Sequence, residues 1–264
     1  MPVRITSDDW TSERVKAFWD HCYRQNNRAL TFSERVGRGV ARYLRVNGLL
    51  QGEVLDYGCG PGALAAQLIR AGCQCWGCDW SEASVEAANR LLSGRRGWHG
   101  ASLAGDSRSA YFNRKFDLVT CLETVEHIPE HEEEDFFANL RDAVKVGGSI
   151  FLTTPNEEDL TLDHKNVYCP FCDSVYHQRQ HVRSFDKNTL ATTIERHGFV
   201  VRWVTALDFN SYQVPAWPGI GDVNLRYLAR VAARMPFSPI TAVHRRSRGK
   251  LPHLCAVATR VPAL

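Results

Sequence analysis

The feature that most constrains this chain is a short apolar segment, 53–57, that runs directly into a turn with glycines at positions 58, 60 and 62. The apolar segment has the length and composition of a buried strand, and residues 63–71 have those of a helix. Glycine in such a turn adopts backbone angles that other residues avoid and lets a ligand approach the main chain closely. The segment therefore predicts the first strand–turn–helix unit of a ligand-binding α/β domain.

Strand and helix patterns alternate after this unit. Further strands are predicted at 74–78, 101–104, 116–121, 149–153, 200–207 and 254–260. Helices are predicted between most of these strands, and residues 8–47 have helical spacing of their large apolar side chains. The pattern predicts an α/β fold with a Rossmann-like, mostly parallel sheet of seven strands, helices on both faces, N-terminal helices and two insertions.

Composition places the chain among soluble globular proteins, with 44% hydrophobic and 23% charged residues. The first residues resemble no signal peptide, and no apolar segment has the length of a membrane span, so we expect a cytoplasmic protein without a membrane partner. The net charge of +3 is too small to indicate a nucleic-acid partner, despite the basic run at 244–250. An odd number of cysteines, nine, indicates reduced thiols rather than a disulfide framework.

Two acidic residues indicate which ligand the glycine turn binds. Asp56 precedes the first glycine, where it would repel a phosphate and attract an ammonium group. Asp79 ends the second strand, where a carboxylate can accept hydrogen bonds from ribose hydroxyls, and Trp80 beside it is placed to pack on an adenine. S-adenosylmethionine carries both an ammonium group and an adenosine, so we expect it as the cofactor.

Residues 53–154 resemble, in order and spacing, the successive motifs of class I S-adenosylmethionine-dependent methyltransferases. This resemblance implies that Asp106, followed by Ser107, faces the adenine amino group and that Leu122 lines the adenine ring. The predicted cofactor-binding residues are Asp56, Gly58, Cys59, Gly60, Asp79, Trp80, Asp106, Ser107 and Leu122. The alternatives are an NAD-dependent oxidoreductase and an α/β domain whose tight turn binds no nucleotide.

Residues 117–129 carry a finer resemblance. They resemble the O-methyltransferases of ubiquinone biosynthesis and also the 2′-O-methyltransferases that modify small-RNA 3′ ends. In both groups a Glu-x-x-Glu-His pattern supplies metal ligands, which implies that role for Glu123, Glu126 and His127. In the RNA enzymes a further histidine follows the fifth strand, and His181 stands in that region of this chain.

A divalent metal site at these residues is chemically reasonable. The spacing i, i+3, i+4 would let one helical turn point Glu123, Glu126 and His127 in the same direction. Carboxylates combined with imidazoles suit Mg²⁺, Mn²⁺ or Zn²⁺, and a bound metal would orient an acceptor hydroxyl and lower its pKa. Without a metal, His127 would act as a general base, so His127 and Glu126 are the predicted catalytic residues.

A second metal site is predicted after the fifth strand. Cys169, Cys172, His177 and His181 have the spacing Cys-x2-Cys-x4-His-x3-His, which is close to that of a zinc knuckle and favours a structural Zn²⁺. Because His181 cannot serve both sites, the knuckle either takes it or uses a fourth ligand such as His164. The alternative interpretation is two reduced cysteines in a turn.

These predictions divide a single methyltransferase domain, 1–264, into four parts. Residues 1–50 are predicted as a helical cap, 51–155 as the cofactor-binding half, 156–185 as a metal-binding insertion and 208–250 as a substrate lid.

The predicted lid contains Phe209, Tyr212 and Trp217, which favour an apolar small-molecule substrate. We therefore expect an S-adenosylmethionine-dependent O-methyltransferase acting on a phenolic or sugar-like hydroxyl. Two alternatives remain open, an RNA 2′-O-methyltransferase and a non-catalytic cofactor-binding partner subunit.

Overall fold

A computed structural model describes residues 2–25, 31–106, 111, 113–213 and 250–262. The strands are β1 Val3–Arg4, β2 Glu53–Tyr57, β3 Gln74–Asp79, β4 Trp98–Leu103, β5 Phe116–Leu122, β6 Val144–Pro155, β7 Asn166–Cys169, β8 Ser174–His177, β9 Phe199–Leu207 and β10 His253–Arg260. The helices are α1 Ser12–Arg24, α2 Phe32–Val46, α3 Ala63–Arg70, α4 Glu82–Leu92, α5 Glu133–Ala143 and α6 Lys187–Arg196.

Seven strands form the main sheet in the order β4-β3-β2-β5-β6-β10-β9. Neighbouring strands from β4 to β6 are parallel, whereas β10 runs antiparallel to both β6 and β9. The predicted seven-stranded, mostly parallel sheet is therefore confirmed. The carboxyl ends of β2, β3, β5 and β6 meet at one edge, which is where open α/β sheets bind their ligands.

One predicted boundary is wrong. The strand predicted at 149–153 begins earlier, because β6 already starts at Val144 and includes Gly147 and Gly148. The glycines lie in a bulge, because Phe116 pairs with Val144 and the next pair joins Leu118 to Ser149. Gly147 has φ +79°, a conformation that lets the strand carry the extra residues.

Part of the 156–185 insertion folds as the β7–β8 hairpin. The strand β1 pairs in parallel with β8, with Val3 opposite Ser174, so the start of the chain and the hairpin make a second, three-stranded sheet. Of the predicted lid, residues 214–249, including Trp217, lie outside the described residues. Phe209, by contrast, is fully buried in the core beside Phe151. None of the helices in the described ranges combines the length and apolar character needed to cross a membrane.

Candidate active site

The glycine turn is shaped by close contacts as well as by its backbone angles. The backbone N–H groups of Gly58 and Cys59 both donate to the carbonyl oxygen of Cys78, at 2.9 and 3.0 Å, which fixes the turn against β3. Gly58 has φ +74°, and a Cβ there would lie 2.6 Å from Oγ1 of Thr124. Glycine is required at this position because a side chain would be strained and would collide with the loop after β5.

Asp79 ties the turn to the end of β3. Its Oδ2 accepts from the backbone N–H of Gly60 at 2.8 Å, and its Oδ1 accepts from that of Ser81 at 2.9 Å. Burial raises the pKa of Asp79 to about 6, although both hydrogen bonds oppose the shift. A carboxylate oxygen has two acceptor positions, so each oxygen retains one for a ribose hydroxyl.

Asp56 lies behind the turn and is almost completely buried. Oγ1 of Thr120 donates to its Oδ1 at 2.8 Å. Burial, with the nearby Asp79 carboxylate, raises the pKa of Asp56 to about 7. A carboxyl group with this pKa becomes a stable anion when a cation is brought close to it, and an ammonium group has that charge.

A single cavity runs along this edge of the sheet. Its walls include Gly58, Gly60, Asp79, Trp80, Leu122, Glu123, Thr124 and His127 from the sheet side and Val15, Phe18, Trp19, Cys22, Tyr23 and Phe32 from the N-terminal helices. Among the residues that the structure describes, Asp106 does not line this cavity. Ser107 lies outside the described residues, so its predicted role is not tested.

Glu123 does not align with the two residues predicted to accompany it. Its backbone has φ +47°, which separates it from the 3-10 turn Val125–His127. Its N–H donates to the Thr153 carbonyl at 3.0 Å, Oγ1 of Thr153 donates to its Oε1 at 2.9 Å, and its Oε2 lies 3.6 Å from Nδ1 of His253. The expectation that one helical turn aligns all three side chains is wrong, because these contacts hold Glu123 in a left-handed conformation.

Glu126, His127 and His181 do come together, with one possible ligand atom from each lying within 4.8 Å of the others. Glu126 is buried, and neither of its carboxyl oxygens forms a hydrogen bond with a described residue. Burial, reinforced by Glu123 and Glu158, raises the pKa of Glu126 well above its ordinary value. A buried carboxyl group without partners is costly, and a bound cation would stabilise its ionised form.

His127 is held as a neutral imidazole. Its Nδ1 lies 3.3 Å from the carbonyl oxygen of Gln180, and the Trp19 ring packs against it edge-on with 4.9 Å between centroids. Burial and the neighbouring imidazoles of His181 and His177 lower the pKa of His127 well below its ordinary value. A neutral imidazole on a cavity wall can accept a proton, which is the property a general base needs.

Glu158 was missed by the sequence reasoning. Its Oε2 accepts a hydrogen bond from Nδ1 of His181, its Oε1 lies 2.9 Å from Nζ of Lys165, and Nε2 of His177 faces the same oxygen at 3.7 Å. Burial raises the pKa of Glu158, but the contacts with His181 and Lys165 outweigh it and bring the pKa to about 2. The sequence signal that could have identified Glu158 is its position three residues after β6, in the segment that leads to His181.

The cysteines of the predicted zinc knuckle lie away from its histidines. In the hairpin Cys169 pairs with Ser174 at the turn, whereas His177 pairs with Asn166 at the other end. Ser174 and His177 are thus separated by three strand residues, or about 10 Å. Among the described residues, Cys169 and Cys172 do not join His177 or His181 in a cluster of possible metal ligands.

Comparisons with known proteins agree with this geometry. A family model described as a methyltransferase domain matches residues 23–203. The ubiquinone biosynthesis O-methyltransferase of Leptothrix cholodnii is 36% identical over 106 residues, 39% of this chain and 44% of the relative. The mitochondrial ubiquinone biosynthesis O-methyltransferase of Schizosaccharomyces pombe is 28% identical over 158 residues, 58% of this chain and 56% of the relative.

The chain thus spans about half the length of the curated relatives it matches. Among solved structures, the DhpI–SAH complex superposes with a TM-score of 0.57 at 15% identity, covering 96% of this chain and 98% of that one. The fold is therefore shared over nearly the full length, and the family model covers more than half of the chain. This chain belongs to the class I S-adenosylmethionine-dependent methyltransferase family.

Proposed function

We propose that this protein is an O-methyltransferase that transfers the methyl group of S-adenosylmethionine to a hydroxyl of a small phenolic or sugar-like molecule. The observation that carries the proposal is the single cavity lined both by the glycine turn with Asp79 and by the imidazole of His127. The relatives named as ubiquinone biosynthesis O-methyltransferases, and the SAH in the DhpI complex, support this assignment.

The residues at the glycine turn fit the cofactor. S-adenosylmethionine supplies a methyl group on a positively charged sulfur, which is already activated for transfer. Asp79 would accept hydrogen bonds from the ribose hydroxyls, and Asp56 would contribute negative charge beneath the amino-acid ammonium group. The apolar walls from Phe18 and Trp19 would exclude water from the cavity.

His127 would remove the proton from the acceptor hydroxyl. The carbonyl oxygen of Gln180 favours a proton on Nδ1 of His127, which leaves the lone pair on Nε2 for this task. Since the methyl donor needs no further activation, the protein mainly has to align the hydroxyl and accept its proton. A neutral His127 at physiological pH is ready for that step.

A divalent cation would be held by Glu126, His127 and His181. Neither oxygen of Glu126 forms a hydrogen bond with a described residue, and the two imidazoles lie close to it, an arrangement that fits Zn²⁺, Mn²⁺ or Mg²⁺. The two nitrogen donors favour Zn²⁺ among these ions. Such an ion would supply Lewis acidity and lower the pKa of a bound hydroxyl. His127 would then be a ligand rather than a free base.

The test is methyl transfer from labelled cofactor to three kinds of acceptor: phenols and catechols, sugars and polyols, and short RNA with a free 3′-terminal ribose. We expect labelled product with a small hydroxyl compound. Transfer to RNA alone would replace the proposal with RNA 2′-O-methylation. Cofactor binding without transfer to any acceptor class would favour the partner-subunit alternative.

Chelation tests the metal separately. We expect exhaustive chelation to remove most activity and Zn²⁺, Mn²⁺ or Mg²⁺ to restore it, because Glu126, His127 and His181 would lose the shared ion. Full activity after chelation, with the metal content measured by elemental analysis, would leave a metal-independent O-methyltransferase in which His127 is the general base.

A further inference from the structure

Glu158 lies in the segment after β6 and faces the cluster formed by Glu126, His127 and His181. Its side chain is only 11% exposed, and nitrogen atoms of three residues lie near its carboxylate oxygens. These are Nδ1 of His181, which donates to Oε2, Nζ of Lys165 at 2.9 Å from Oε1, and Nε2 of His177 at 3.7 Å from Oε1. Glu158 is therefore the carboxylate that accepts hydrogen bonds from both His181 and Lys165.

The hydrogen bonds of His177 fix where its proton lies. Its Nδ1 accepts from the backbone N–H of His181 at 3.2 Å and from that of Arg179 at 3.4 Å. Since a backbone N–H can only donate, Nδ1 carries the lone pair, and the proton of the neutral ring is on Nε2. Nε2–H of His177 faces Oε1 of Glu158 at 3.7 Å, too far for a hydrogen bond, and the ring has no free lone pair for a metal.

His181 has the opposite tautomer, with its proton on Nδ1. Nδ1 of His181 donates to the Glu158 carboxylate, so its proton is on Nδ1 and the lone pair is on Nε2. One possible ligand atom of His181 lies within 4.8 Å of those of Glu126 and His127, and in this tautomer Nε2 is the nitrogen with a lone pair to offer them. The His177 ring stacks on the His181 ring with 4.5 Å between centroids, which also restricts rotation of the ring.

We propose that Glu158 is the positioning residue of this site, and that it holds His181 in the Nδ1-protonated tautomer so that the Nε2 lone pair serves the cluster with Glu126 and His127. Carboxylates that accept from the second nitrogen of a ligating histidine fix its tautomer and make it a stronger donor. The metal consequence rests on the proposed function, whereas the tautomer itself does not.

The first experiment reads the tautomer directly by long-range ¹H–¹⁵N NMR of protein with labelled histidine. The His181 signals are assigned by their loss in His181→Gln. In the wild type we expect a proton on Nδ1 of His181. Glu158→Leu, which removes the acceptor, should shift His181 largely to the Nε2-protonated form, and Glu158→Gln, whose amide oxygen still accepts, should retain the original tautomer.

The matched control is Glu157→Gln, since Glu157 is a neighbouring exposed carboxylate that pairs with Lys250. It should leave the His181 signals unchanged. The proposal is overturned if His181 is protonated on Nε2 in the wild type, or if folded Glu158→Leu keeps the wild-type tautomer.

The second experiment measures Zn²⁺ affinity by calorimetry. Glu158→Gln should raise Kd severalfold because the ring loses its anionic partner, and Glu158→Leu should raise it about 10–100-fold. A Glu158→Gln protein that has lost the wild-type His181 tautomer and still binds Zn²⁺ with unchanged affinity would contradict the positioning role, even if Glu158→Leu fails to fold. Wild-type protein that binds no Zn²⁺ would remove the metal from the proposed function, and the NMR result would then decide the role of Glu158 alone.

Discussion

Asp79 has a structural role in the glycine turn besides its proposed role in binding the cofactor. Its two oxygens hold the backbone of Gly60 and Ser81, so the carboxylate orders the turn before any ligand arrives. The same oxygens retain acceptor positions on the cavity side. The position of Asp79 in the sequence was enough to predict the ribose contact. Its hydrogen bonds to the turn could not be predicted in this way, because they depend on how the turn folds back over the end of β3. These hydrogen bonds make the site preorganised.

We expect Asp79→Asn to weaken S-adenosylmethionine binding by about tenfold or more. A hydrogen bond to a charged group contributes about 1.5–3 kcal/mol, and about 1.4 kcal/mol corresponds to a factor of ten in Kd. Isothermal titration calorimetry measures the change. Glu82→Gln is the control, because Glu82 is a nearby exposed carboxylate paired with Lys16. Equal affinity in Asp79→Asn and wild type would remove Asp79 from the cofactor site.

His127 is expected to affect turnover rather than cofactor binding. His127→Ala should lower kcat by about 10²–10⁴-fold, the usual contribution of general acid–base catalysis, while the cofactor Kd stays within about twofold. Single-turnover kinetics with a competent acceptor measures this. His131→Ala, which alters an exposed imidazole four residues away, should retain wild-type kcat. A His127→Ala protein with normal turnover would show that another group accepts the proton.

At the scale of elements, α1 forms the side of the cavity opposite the sheet. Trp19 contacts the His127 ring, and its Nε1–H donates to Oε1 of Gln180 at 3.2 Å. The helix therefore contacts both the His127 imidazole and the segment that carries His181. Acceptor binding should depend on it.

Trp19→Ala should raise the acceptor KM by about tenfold, because Trp19 lines the cavity and covering a large apolar side chain contributes about 1.5–3 kcal/mol. Steady-state kinetics at saturating cofactor tests this. The control is Lys16→Ala on the same helix, whose ammonium group is partly exposed and pairs with Glu82. If KM is unchanged in Trp19→Ala, α1 does not contact the acceptor.

The sequence predicted the elements whose signals are local. Apolar periodicity identified the strands of the main sheet. A serine directly before a helix is a local signal of the same kind, and the hydroxyl of Ser81 caps α4 by accepting from the N–H of Ser84 at 3.2 Å. Such local signals do not predict the backbone conformation where tertiary contacts determine it. Glu123 is held by Thr153, thirty residues away, and no spacing rule reveals that.

The zinc knuckle failed for a related reason. The spacing of the cysteines and histidines would suit a metal site only if the segment were a compact loop. Strand pairing in the hairpin instead extends the segment and places His177 away from Cys169. Glu158 escaped notice because an isolated acidic residue has no pattern. Only the fold brings it to His181.

For the molecule as a whole, pH should govern cofactor affinity. In the ligand-free fold the pKa values of Asp56 and Asp79 are about 7 and about 6, above the ordinary value of about 3.9. Their contribution to stability is therefore present at low pH and is lost as pH rises through 6 to 7. A cationic cofactor favours the ionised carboxylates, so its binding releases protons and its affinity should increase over that range.

Calorimetry from pH 5.5 to 8 tests this linkage. Kd should fall as pH rises, and Asp56→Asn should flatten the upper part of the profile because one titrating group is removed. A wild-type Kd that does not vary with pH would mean that neither carboxyl group changes its protonation when the cofactor binds.

The pairing of Val3 with Ser174 has a consequence for the order of folding. On the ribosome, the segment that includes β1 and α1 is synthesised before its strand partner β8, which follows five of the seven strands of the main sheet. Contacts between residues so distant in sequence form slowly, because a long loop must close before they stabilise anything. The second, three-stranded sheet would thus be completed only after the strands at the cofactor edge of the main sheet have been synthesised.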